Sequence, residues 1–328
     1  MAAGYAGAST GWQTASVRVA VVGHVEWVEF ARVDRFPGPG DIVHSLDWWE
    51  EPAGSGAVGA VQLHKLAGDC TFLTALGKDA TGKRAHLELE ALGPSVEAAR
   101  RSAPTRRAVT LIDPNGERTI TTLGERLEPR ADDPLPWDEL AGADAVYLTA
   151  GDTGAVRAAR RARVLVATSR VLELLARAEV EIDAVVGSGR DPAERYDPSA
   201  LSPPPGLVVR TDGARGGSYE TADGRSGTYE PAPLPGPLID TAGGGDSFAG
   251  GSRSPWGAGT RSRRRSRSRP GAAPGAWPAG DPMRASSRLP TSGGSRRRGR
   301  AHACGPIPSP GAWSRSRGTR RPRGPPRR

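Results

Sequence analysis

The chain is poor in the residues that build covalent or metal scaffolds, with two cysteines, Cys70 and Cys304, and five histidines among 328 residues. One cysteine in each half offers no disulfide framework, and a reducing, cytoplasmic setting is expected. His24, His44, His64, His86 and His302 lie too far apart for a zinc pattern, so no metal ligands are assigned. Long apolar runs are missing as well. No stretch approaches the roughly 18 apolar residues of a membrane span, and Met1 to Ser16 lacks the apolar segment of a secretion signal. No membrane partner is expected. Aromatic residues make up only 5 % and hydrophobic residues 37 %, against 44 Gly and 30 Pro, a balance that predicts a chain folded over only part of its length.

Charge locates the two parts. Residues 252–328 hold 20 Arg, no Lys and one Asp, a net of +19, so the formal +9 of the whole chain leaves −10 for residues 1–251. The acidic part alternates apolar strands with helical stretches, whereas the tail is Arg, Ser, Gly, Pro and Ala without apolar periodicity. The expected organisation is a disordered segment at 1–16, a folded domain at 17–251 and a disordered tail at 252–328.

Within the domain, Val17 to Val22 reads as a buried first strand, and Val58–Ala67 and Thr81–Leu92 as helices around a strand at Thr71–Leu76. A hairpin is predicted where Ala108–Ile112 and Arg118–Thr122 flank Asp113-Pro114-Asn115-Gly116. Further strands are expected at 145–149, 164–168, 184–186 and 207–210, with a helical stretch at 171–178. Strands alternating with helices imply a parallel sheet covered on both faces, whose ligands sit beyond the carboxyl ends of the strands.

The segment Asp240-Thr241-Ala242-Gly243-Gly244-Gly245-Asp246-Ser247-Phe248 carries the chemistry. Three successive glycines let backbone N–H groups surround an anion, and the following helix adds its positive end. Asp246, at the start of that helix, is placed to accept a proton from a hydroxyl held beside a phosphate.

This segment resembles the D-T-x-G-A-G-D-x-F signature of the PfkB family, the ribokinase-like sugar and nucleoside kinases, with Gly244 in place of alanine. Val208 to Gly217 is similar to the family's strand and T-x-G-x-x-G nucleotide loop. Gly54, Gly56 and Gly59 keep the glycine frame of G-G-K-G-A-N without its Lys and Asn. Leu76 to Gly82 resembles the G-x-D-x-x-G loop, and Gly116 to Ile120 the lid hairpin. The resemblance implies a three-layer α/β/α fold with a mostly parallel sheet and a small β lid formed by segments near 24–50 and 105–123. It implies Asp246 as catalytic base, Gly243, Gly244 and Gly245 as the anion hole, and ATP with Mg²⁺ as cofactors. By the same resemblance Thr211, Gly213, Gly216, Asp240 and Thr241 bind the nucleotide, and Gly54, Gly56 and Glu26 the sugar or nucleoside. Lid pairing in the family makes a homodimer possible.

Departures from the pattern are visible too. Where the family shows G-x-x-N-x-D after its first strand, Glu26 and Val28 occupy the polar positions; Glu26 or Glu29 is the substitute carboxylate, a solvated strand end the alternative. Trp48-Trp49 suits either a sugar platform or lid packing. The N-x-x-E element has no counterpart around Val186–Asp191. Family-like sequence stops at Gly251. Because Arg, Gly, Pro, Ala and Ser are what GC-rich codons yield in a wrong frame, a frameshift is the expected source of the tail. A competing reading is an inactive remnant whose basic tail binds nucleic acid through phosphate neutralisation.

Overall fold

The computed structural model describes residues 17–231 and 244–251. In chain order its first half runs β1 (Val19–Val22), β2 (Glu26–Arg32), β3 (Asp47–Ala53), α1 (Ser55–Ala67), β4 (Cys70–Gly77), α2 (Ala80–Ala91), β5 (Ser95–Arg101), β6 (Arg107–Ile112) and β7 (Arg118–Leu123). The second half runs β8 (Ala145–Leu148), α3 (Thr153–Ala159), β9 (Leu165–Thr168), α4 (Leu172–Ala178), β10 (Ala184–Ser188), β11 (Leu207–Thr211), β12 (Gly217–Thr221), β13 (Ser226–Tyr229) and α5 (Gly244–Gly251).

The main sheet has nine strands in the order β13-β12-β11-β10-β9-β8-β1-β4-β5. Pairing is parallel from β11 through to β5 and antiparallel for β11-β12 and β12-β13. β1, β8 and β9 are buried at every residue, as continuous apolar runs covered on both faces must be. Alternate residues serve opposite faces. Val19, Val21, Phe72 and Tyr147 pack against α1 and α2, with Ala249 of α5 in the same cluster. Ala20, Val22, Leu73 and Leu148 pack with α3 and α4 on the other side. The result is the layered arrangement of helix, sheet and helix that the resemblance implied.

A second sheet, ordered β3-β2-β6-β7, forms the lid. β6 alternates buried and partly exposed residues, whereas β7 at the edge is exposed at all six positions. The hairpin turn closes where predicted, with Asp113 Oδ1 accepting from the amides of Asn115 and Glu117, both at 2.9 Å, and Gly116 at φ 79. Trp49 stacks on Phe30 at 5.0 Å and Trp48 is 66 % exposed, so the tryptophan pair belongs to the lid rather than to a ligand platform. β2 and β3 lie in the lid segment expected near 24–50, whereas β5, α3, β12 and β13 were not expected; a polar, arginine-rich stretch such as Ser95–Arg101 shows no clear alternation.

Candidate active site at the carboxyl ends of the strands

β1 ends at Val22, and the chain turns through Gly23 and His24 into the lid. This turn lies directly against the start of α1: a Cβ on Gly56 would stand 2.7 Å from the His24 carbonyl oxygen. Backbone meets backbone there, which only glycine permits. Gly54, at φ 91, precedes α1 without a side-chain cap, and it abuts the His24 ring.

α5 packs on α1 and carries Asp246 to the same place. Asp246 Oδ1 accepts a hydrogen bond from the Tyr147 hydroxyl at 3.2 Å, and the side chain of Ser55, first residue of α1, is hydrogen-bonded to the same carboxyl group. The amino ends of two helices, with their unpaired N–H groups, therefore meet at one acid. Burial pushes Asp246 from 3.8 up to about 6; the Tyr147 and Ser55 hydrogen bonds and Arg118 oppose this, and the charge of Glu194 reinforces it. Gly244 and Gly245 open α5, and the space where their side chains would lie is empty. Asp240, Thr241 and Gly243 lie outside the described residues.

Around the β1 turn the charges are mixed. His24 is 7 % exposed and pushed down to about 3, by burial first and then by Arg126, Arg106 and Arg170. Glu26 lies 3.8 Å from His24 Nε2 and 3.3 Å from Arg106 Nη1, and burial raises it against the pull of Arg106 and Arg126. Glu29 instead pairs with Arg107 in the lid. Among the described residues, His24 Nδ1, Thr74 Oγ1, Arg106 Nε and Thr149 Oγ1 are buried polar atoms here without a hydrogen-bond partner. Such atoms are costly unless something else satisfies them, and ligand hydroxyls are suited to do so.

On the other flank Thr211 ends β11, and its Oγ1 donates to the Gly187 carbonyl at 3.4 Å. Gly213 and Gly216, at φ 56 and 80, form the tight loop that follows. Asp212 in this loop is brought down to about 2 by Arg215 and Arg190. Asp191-Pro192-Ala193-Glu194, just past β10, places two acids three residues apart. Glu194 Oε1 pairs with Arg170 Nε at 2.7 Å and Oε2 accepts from the Ser188 amide at 2.6 Å, while its charge reaches Asp246.

A cavity of about 460 Å³ opens beyond β8 and β9, lined by Arg126, Gly151, Ser169 and Arg170 among others. A second, of about 450 Å³, lies at the opposite ends of the strands beside Arg18 and Asp69 and has no part in this chemistry.

Comparison with known proteins agrees with this fold. The family model described as pfkB family carbohydrate kinase matches residues 17–174. An ATP-dependent ribose-1-phosphate kinase of Halopiger xanaduensis is 30 % identical over 256 residues, covering 73 % of this chain and 85 % of that protein. Among solved structures, adenosine kinase from Sinorhizobium meliloti aligns with TM-score 0.60 and 18 % identity over 75 % of this chain and 89 % of its own. Ribokinase from Arabidopsis thaliana, complexed with ribose and ATP, aligns with TM-score 0.55 and 20 % identity over 75 % and 87 %. The chain belongs to the pfkB family of carbohydrate kinases, phosphotransferases that act on sugars or nucleosides.

Proposed function

We propose that the protein transfers the terminal phosphoryl group of ATP to a sugar hydroxyl, with Asp246 as the base. The observation that carries this reading is the meeting of two helix amino ends at a carboxyl group beyond the strands of a parallel sheet. Asp246 takes the acceptor proton as the oxygen attacks phosphorus. The amides of residues 243–246 stabilise the charge that develops on the transferred group. Thr211, Gly213 and Gly216 hold the nucleotide from the β11 side, joined by Asp240 and Thr241, and Gly54, Gly56 and Glu26 face the acceptor. Asp246→Ala is expected to lower ADP release about 10²- to 10⁴-fold with the melting temperature retained; undiminished turnover defeats the assignment.

Mg²⁺ belongs to this reading as the companion of ATP, where it neutralises phosphate charge. Glu194 fits it through water, since Arg170 and the Ser188 amide already occupy both carboxylate oxygens. The combined field of Arg106, Arg126 and Arg170 at His24 favours an acceptor that already carries a phosphate, which is the chemistry named for the Halopiger relative. Exposed Trp48, Ile120 and Leu123 on the lid suit pairing between two copies. The +19 segment at 252–328 suits loose binding of nucleic acid.

A further inference from the structure

Tyr147 is among the largest fully buried side chains, 1 % exposed, at the centre of β8. An apolar residue would fill this part of the core equally well, whereas a buried phenol must find a partner for its hydroxyl. Two neighbours are fitted to it. Gly59 in α1 leaves room for the ring, because a Cβ there would stand 2.9 Å from Tyr147 Cδ1. Asp246 receives the hydroxyl, at 3.2 Å. A group rooted in the rigid middle of the sheet thus reaches, beneath α1, the acid at the start of α5.

We propose that Tyr147 is a positioning residue for the phosphoryl-transfer base, its hydroxyl fixing the orientation of the Asp246 carboxylate and favouring the ionised form. This rests on the reading of Asp246 as the base. The other groups facing Asp246 are Ser55 from α1, Glu194 after β10 and Arg118 from the lid strand β7. Glu194 and burial hold the proton on; Arg118, Ser55 and Tyr147 help to release it. Tyr147 differs from these in being rooted in the core at 1 % exposure, whereas Ser55 and Glu194 are half-buried and Arg118 is exposed.

The test is the pH dependence of kcat in the full-length protein and in Tyr147→Phe, which keeps the ring volume. The acid limb is expected to move up by about one pH unit, so turnover falls several-fold near pH 6 and stays close to the parent value above pH 8, with KM for ATP unchanged. Gly59→Ala, which displaces the ring but keeps the hydroxyl, should shift the limb in the same direction. Carbon-13 titration of the Asp246 carboxyl, identified by its loss in Asp246→Asn, reads the same shift without turnover. An unmoved limb with uniformly lower kcat, or an unmoved carboxyl titration, overturns the role of Tyr147 alone. Full turnover in Asp246→Asn removes the base and this inference with it.

Discussion

Burial acts on Asp246 and His24 in opposite senses because it disfavours whichever form is charged. Asp246, raised from 3.8 to about 6 in the fold, binds its proton more tightly folded than unfolded. Stability is therefore lost as pH rises from about 4 to about 6, by up to roughly 3 kcal/mol. Asp246→Asn should melt higher than the parent at pH 8, with the gain vanishing near pH 4. His24, lowered from 6.5 to about 3, works the other way: its contribution is complete above pH 6.5 and is lost as pH falls toward 3, by up to roughly 4–5 kcal/mol. His24→Asn should remove that acid sensitivity from melting curves taken between pH 3 and 7. Arg106 offers a test of the acceptor. Arg106→Met should cut kcat/KM for ribose 1-phosphate about tenfold or more, in line with losing one charge-assisted contact, and change ribose phosphorylation much less; equal losses on both would remove the phosphate preference.

At the scale of elements, the glycine frame and the caps decide how the site is assembled. Asp79 caps α2 by accepting from the Gly82 amide at 3.0 Å, and it ties the start of the lid by accepting from the Thr105 hydroxyl at 2.8 Å. Although burial raises this acid, the Thr105 and Gly82 hydrogen bonds hold it below 3.8. Asp79→Ala is expected to cost about 1–2 kcal/mol, read as a lower midpoint in urea. Gly56→Ala forces a methyl group to 2.7 Å from the His24 carbonyl oxygen and should cost about 1–3 kcal/mol while separating the β1 turn from α1. These elements were legible to different degrees. β1, β4 and β8 announced themselves as apolar runs, and the turn at 113–116 through Pro and Asn-Gly. β2 and β3 did not, because the charged residues that they carry interrupt the apolar pattern and find partners only in the folded protein: Glu29 pairs with Arg107 of β6, and Glu50 with Arg84 of α2, whose guanidinium lies over the Trp27 ring at 4.3 Å.

At the scale of the whole molecule, two surfaces remain to be tested. Ile120, 51 % exposed on the edge strand β7, is a suitable point at which to charge the lid. Ile120→Lys should convert a dimer to a monomer in sedimentation equilibrium, and a monomeric parent would exclude lid pairing. Deletion of residues 252–328 should abolish salt-sensitive binding to nucleic acid while leaving nucleotide binding intact; retained nucleic-acid binding would assign that property elsewhere. The amino-acid sequence by itself determined the alternation of strands and helices, the split in charge and the glycine turn with its acid, because these depend on periodicity and on residues adjacent along the chain. Only the tertiary structure decided that Asp246 meets Tyr147, Ser55 and the field of Glu194, and that three arginines act on His24. Those groups lie tens of residues apart, and what brings them together is the parallel sheet, which delivers its strand ends and helix starts to one edge.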